Sequence, residues 1–147
     1  MSSCARRAID ASGTEIVLTA RTEGFLWGRT DIGEATDRLR AFAEAGADCL
    51  YAPGIRSAEK ITAVVEAVAP KPVNLLIYGP SATVAEAEAL GGRRISVGGS
   101  FARAALGALM RAAIEVRDHG TFGYAETAMP GDSIARLMSQ DHHLDRL

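Results

Sequence analysis

An arginine and a glutamate end the first strongly apolar run of the chain, Ile16-Val-Leu-Thr-Ala-Arg-Thr-Glu-Gly24. Arg21 delivered at the end of a buried strand can grip a carboxylate through two parallel N–H bonds. Its structural alternative is an ion pair with Glu23, which in turn is either an orienting partner, a hydrogen-bond acceptor for a ligand, or a solvated rim carboxylate. A second anion-type element is Gly98-Gly99-Ser100, which separates an apolar run from a long helical pattern. Backbone N–H groups at such a junction bind phosphate or carboxylate, and a tight turn that needs glycine explains the same residues. Asn74 and Ser96 stand inside apolar runs, where a buried polar side chain has to find a hydrogen-bond partner, more often backbone than ligand.

Other chemistry-bearing residues read as structural. Cys4 and Cys49 lack metal-type spacing and predict neither a disulfide framework nor a zinc site. His119 falls at the end of a helical pattern, and His142 and His143 fall in the tail, which suits capping or solvated roles. Phe25 and Trp27 make an apolar connection that either covers a pocket or, more simply, packs in a core or on another subunit.

The elements that must hold these residues alternate along the chain. A short helix over Ser2–Ser12 stops at Gly13, and the first strand follows it over the Ile16–Gly24 run. Asp31 is a good N-cap with Glu34 three residues on, and Ala35, Leu39, Phe42 and Ala43 share a helical face up to Gly46. Strands are predicted at Asp48–Ala52, Val73–Tyr78 and Arg94–Val97, separated by helices over Ser57–Ala69 and Ala82–Leu90. Pro70 and Pro72 end the first of these helices, and Gly91-Gly92 ends the second. A long helix runs from Gly98–Ser100 to about His119, and Ile134, Leu137 and Met138 mark a short one in the tail. Strand alternating with helix defines a parallel sheet with crossover helices. A small doubly wound sheet and part of a (β/α) barrel both fit the spacing.

With 147 residues, 48% of them hydrophobic, the chain is expected to form one domain with a real core. A formal charge of −2 offers no basic surface, so nucleic acid and anionic membrane are not expected partners. No apolar run reaches the ~20 residues of a membrane span and the start lacks a signal-type apolar core, so a cytoplasmic location is expected. An independent dinucleotide-dependent oxidoreductase is disfavoured, because no Gly-x-Gly-x-x-Gly turn follows the first strand.

Four segments resemble the isocitrate lyase and phosphoenolpyruvate mutase superfamily. They are Val17-Leu-Thr-Ala-Arg-Thr-Glu23, Arg38-Leu-Arg-Ala-Phe-Ala-Glu-Ala-Gly-Ala-Asp-Cys-Leu-Tyr51, Lys71-Pro-Val-Asn74 and Arg94-Ile-Ser-Val-Gly-Gly-Ser-Phe-Ala-Arg-Ala-Ala105. The tail Gly120-Thr-Phe-Gly-Tyr-Ala-Glu-Thr-Ala-Met-Pro130 resembles the end of less characterised members. The resemblance implies an α/β fold, a parallel four-stranded half of a (β/α) TIM-type barrel over residues 1–120, with a C-terminal helical tail over 121–147 that holds a short helix. The four strands would be the last four of eight.

The same resemblance implies that Arg21 binds a substrate carboxylate, and that Glu23 stands where many relatives have aspartate. Substrate binding is thus expected at Arg21, Glu23, Asn74, Gly98, Gly99 and Ser100. Family members are lyases or mutases of small α-keto and carboxylic acids that stabilise an enolate with Mg²⁺. No part of this chain resembles the segments that carry their Mg²⁺-binding acids or the loop with the catalytic cysteine. Neither Cys4 nor Cys49 takes that cysteine's role, and Pro53 stands where several lyases have a glutamate. No cofactor is therefore expected for this chain alone, and no catalytic residue is assigned. The expected function is a truncated or split lyase-family member that is incomplete by itself. The alternatives are a non-catalytic half-barrel that self-associates and a small anion-binding α/β domain. Expected partners are a small carboxylate or keto acid, together with a second copy or a complementing first half-barrel.

Overall fold

The computed structural model describes residues 2–139, and His142 and His143 lie outside them. The chain divides into two compact units, the first ending at Ser100 and the second starting at Phe101. In the first, α1 (Ser2–Ser12), β1 (Thr19–Arg21), α2 (Ile32–Glu44), β2 (Cys49–Tyr51), α3 (Ala58–Val68), β3 (Val73–Leu76), α4 (Val84–Ala89) and β4 (Gly92–Ser96) follow in order. The strands form one parallel sheet in the order β1-β2-β3-β4. This is the four-stranded half of a TIM-type barrel.

Local chemistry explains the boundaries. The Asp31 carboxylate accepts from the Gly33 and Glu34 amides and starts α2. Glu34 does not close a capping box; its carboxylate lies against Arg38 and Arg29 instead. Ser57 caps α3, and Thr83 with Glu86 forms a full reciprocal box on α4, giving so short a helix a defined start. The core lies between sheet and helices and is built from Ala20, Leu39, Ala47, Leu50, Val64, Val68 and Val73. Each fully buried aliphatic side chain of this size contributes about 1.5–3 kcal/mol relative to an exposed one.

The first strand is shorter than the apolar run predicts. Ile16 and Val17 are exposed, and pairing begins only where β2 can answer. The amides of Asp48 and Cys49 both donate to the Leu18 carbonyl, and the Leu18 amide donates to the Asp48 carboxylate at 2.7 Å. Before that point the chain has no neighbouring strand among the described residues, and β-branched residues alone do not hold an extended ladder. β3 likewise stops at Leu76 rather than Tyr78, whereas β4 starts two residues early, at Gly92.

The second unit contains α5 (Ser100–His119) from Phe101 on, a 3₁₀ turn over Gly123–Glu126 and α6 (Gly131–Met138). Glu115 ties the turn to α5. Its carboxylate accepts from the Thr121 hydroxyl at 2.7 Å and from the Gly123 and Tyr124 amides at 2.6 and 3.0 Å. These bonds, the Thr121 hydroxyl first, hold the Glu115 carboxyl below the usual carboxylate range. No helix of the described residues is long and apolar enough to cross a membrane.

Candidate functional site

Strand alternation sorts the sheet's side chains by face. Ala20, Leu50 and Val73 join the core under the helices, so Arg21, Tyr51 and Asn74 point to the opposite face. Register then lines them up, because Arg21 pairs with Tyr51, Tyr51 with Asn74, and Asn74 with Arg94. A single row crosses all four strands, with a guanidinium at each edge and a phenol and an amide between.

At the β1 end, the Arg21 Nε donates to the Glu23 carboxylate and the guanidinium lies 5.3 Å from the centre of the Tyr51 ring. The bond to Glu23 raises the Arg21 pKa, and the same bond holds Glu23 below the ordinary carboxylate value. Both side chains remain about half exposed, so the fork still reaches solvent. Tyr51 is buried, and its carbonyl accepts from the Thr22 amide at 3.0 Å, which extends the pairing past β1 and fixes the turn toward Glu23.

At the β4 end, Asn74 is only 1% exposed and is satisfied by side chains rather than by backbone. Its Nδ2 donates to the Ser96 Oγ at 2.9 Å, and its Oδ1 accepts from the Arg94 Nη1 at 2.7 Å. Asn74 and Ser96, singled out separately in the sequence, are thus one hydrogen-bonded unit. Arg94 was not singled out for a site role. Its apolar neighbours mark a strand, but only the register shows that it faces Asn74.

Gly98, Gly99 and Ser100 follow the end of β4 as a turn into α5, with the Ser100 amide donating to the Val97 carbonyl at 3.1 Å. Gly98 has φ 53°, a left-handed conformation that favours glycine, whereas a Cβ on Gly99 would meet nothing within 4 Å. The turn therefore accounts for the first glycine and leaves the second unexplained. Trp27 is 79% exposed and so is not a core residue, while Phe25 is half-buried with the Lys60 ammonium 5.1 Å from its ring centre. Cys49 is buried on the same face as Tyr51, and burial pushes its thiol pKa up, the opposite of an activated nucleophile. His119 sits in the last turn of α5.

Among the described residues no group of three or more His, Cys, Asp and Glu side chains could hold a metal ion. The donor set of the row does not fit Mg²⁺ either: it offers two guanidiniums, and its one carboxylate, Glu23, is paired with Arg21. A cavity of about 470 Å³ lies away from the row, between α3, β3 and α4, lined mainly by Ile55, Ile61, Leu75, Ile77 and Leu90. Arg56, Ser81 and Glu86 also line it, the Glu86 carboxylate being taken up by the Thr83 amide and hydroxyl, and no residue of the row lines it.

A parallel barrel segment with arginine at a strand's carboxyl end belongs to the (β/α)-barrel proteins, whose sites lie at that end. The chain belongs to the phosphoenolpyruvate phosphomutase family, whose description matches residues 2–117, within the phosphoenolpyruvate mutase/isocitrate lyase superfamily. A provisional lyase/mutase of Burkholderia cenocepacia J2315 is 45% identical, with a TM-score of 0.87 over 95% of this chain and 51% of that one. Oxaloacetate acetylhydrolase in complex with the product oxalate is 30% identical, with a TM-score of 0.83 over 95% of this chain and 49% of its own. For 2,3-dimethylmalate lyase the values are 28%, 0.81, 95% and 50%. The chain thus spans about half the length of the solved structures it matches. No curated protein sequence matches significantly.

Proposed function

We propose that the row beginning at Arg21 is the carboxylate-binding part of a lyase-family site, and that turnover requires groups these residues do not supply. The observation that carries this reading is the half-exposed Arg21 fork at the carboxyl end of β1, backed by the Tyr51 ring. A similar structure holding oxalate supports a small dicarboxylate or α-keto acid as the ligand class. In the reaction, Arg21 would bind and orient the carboxylate, and Glu23 would hold the guanidinium in place. Mg²⁺, implied by the family, supplies stabilisation of an enolate when bound. Its ligands would have to come from a complementing first half-barrel. The Gly98-Gly99-Ser100 turn is a second anion contact in this reading, through the Gly98 and Gly99 amides, since the Ser100 amide is taken by the Val97 carbonyl. A cytoplasmic location belongs to the same reading, since Cys4 and Cys49 are both free thiols, which suits a reducing compartment.

The test is a thermal melt and a calorimetric titration with oxalate on the wild-type chain and on Arg21→Gln. Oxalate should raise the wild-type melting temperature, and the substitution should weaken binding about tenfold or more, the worth of one charge-assisted pair. Equal oxalate binding by both proteins, or none by the wild type, rejects the site.

A second reading, a self-associating module without turnover, is favoured by the second unit. Neither α5 nor α6 has a buried residue, and Phe101, Leu109, Met110 and Leu137 are all exposed. The two readings are compatible, since a shared sheet can hold the Arg21 site.

A further inference from the structure

We propose that Arg94 is a second ligand-contacting residue of the row, held by Asn74 and reserved for the far end of a doubly charged anion. The inference rests on the carboxylate reading of Arg21 and adds a residue to it.

Three observations carry it. Arg21 is neutralised locally by Glu23, whereas the partner of Arg94 is a neutral amide, and no carboxylate among the described residues lies within ion-pair distance of it. The positive charge of the sheet's open face is therefore concentrated at the β4 end. Arg94 is also exposed, and one Nη1 proton satisfies Asn74 while the rest of a five-donor fork stays available. Finally, the arrangement is fixed from behind. Asn74 is almost fully buried, and because its Oδ1 takes Arg94 its Nδ2 must go to Ser96, which leaves the Ser96 hydroxyl proton free to point outward as a donor.

Geometry sets the ligand's form. Arg21 and Arg94 are three strand spacings apart, about 14 Å between backbones at 4.8 Å per step. Two long side chains that lean toward each other from the edges over Tyr51 and Asn74 can bracket a short anion with a charge at each end, and a ligand with one charge engages only one of them. A purely structural Arg94 would hold Asn74 and nothing else.

Arg94→Gln separates these roles, because a glutamine amide can still donate to Asn74 but carries no charge. Calorimetric titrations with malonate, succinate and glutarate are compared with propionate for the wild type, Arg94→Gln, Arg94→Lys and Arg21→Gln, with melts to verify folding. The best dicarboxylate should bind the wild type at least about tenfold tighter than propionate, and Arg94→Gln should erase that preference. Arg94→Lys should restore part of it, since charge survives and the planar fork does not. Arg21→Gln should weaken both ligand types. If Arg94→Gln keeps the preference, or weakens both ligands equally, the assignment of Arg94 is overturned while an Arg21 loss leaves the carboxylate site standing. If the wild type binds neither ligand, both fall.

Discussion

Asp48 shows how one carboxylate can join three elements. It accepts from the Leu18 amide at 2.7 Å and from the Arg6 Nη1 at 2.9 Å, so α1, the entry to β1 and the start of β2 meet on one side chain. The Leu18 amide first, and Arg6 after it, hold the Asp48 carboxyl below its ordinary value. A carboxylate lowered in the folded state binds its proton more readily when unfolded, so the stability it confers is full above the unfolded pKa near 3.9 and is lost as pH falls through the folded value. Asp48→Asn should cost about 1 kcal/mol at pH 7, the charged-bond value discounted because the side chain is 40% exposed. The wild-type advantage should shrink as pH falls below the unfolded pKa near 3.9 and be lost as the folded carboxyl takes up its proton. Urea denaturation of both proteins across that range measures it; a difference independent of pH would mean that the charge of Asp48 does nothing. In the sequence Asp48 reads only as the residue before a strand. Arg21, by contrast, was legible because its position at a strand's end carries meaning without knowledge of its neighbours. Arg94 was not, since its significance depends on a partner twenty residues away that only the β3–β4 register supplies.

At the scale of elements, helix starts were the most legible feature, because a cap is a local event. Asp31 caps α2 where the sequence places a cap, and α3 begins at Ala58, one residue after the predicted start at Ser57, which is its cap. Strand ends were less legible, because a strand lasts only as long as its partner. Gly91-Gly92 illustrates the limit: the pair reads as a helix stop, yet Gly92 is the first residue of β4 and lies under α4. A Cβ there would stand 2.6 Å from the Leu75 Cδ1 and 2.9 Å from the Ala87 carbonyl oxygen. The leucine can turn away, but the backbone carbonyl of a short helix cannot without moving α4. Gly92→Ala should therefore destabilise the first unit by about 1–3 kcal/mol, the usual cost of overpacking. Gly99→Ala should be close to neutral, since a Cβ there meets nothing within 4 Å. Chemical denaturation of the two variants side by side decides the point, and equal stability would mean that α4 is too loosely held to feel the added methyl.

For the molecule as a whole, the alternation of strands and helices indicated a parallel α/β fold but could not choose between a doubly wound sheet and part of a barrel, because each βαβ unit is locally the same in both. Resemblance in the segments around Arg21 and Asp48 made that choice, and the matched structures, each about twice the length of the chain, agree with it. A four-stranded half of a barrel has two outer strands, β1 and β4, whose outer backbone groups lack a strand partner among the described residues. Parallel sheets are stable when covered on both faces, and open edges template further pairing. The second unit adds α5 from Phe101 on with no residue buried, and Phe101, Leu106, Leu109 and Met110 are among its exposed side chains. Water disfavours that much apolar surface, so the purified chain should scatter light as a dimer or larger species rather than as a monomer. Leu109→Glu together with Met110→Glu should lower the measured mass if α5 makes the contact, because burying two new carboxylates without partners costs more than the interface gains. An unchanged mass would move the contact away from α5, and lysine substitutions at the exposed Ile16 and Val17 just before β1 become the next probe. A monodisperse wild-type monomer with a cooperative melt would reject self-association outright, and would require the open face around Arg21 and Arg94 to be stable in water without a second copy.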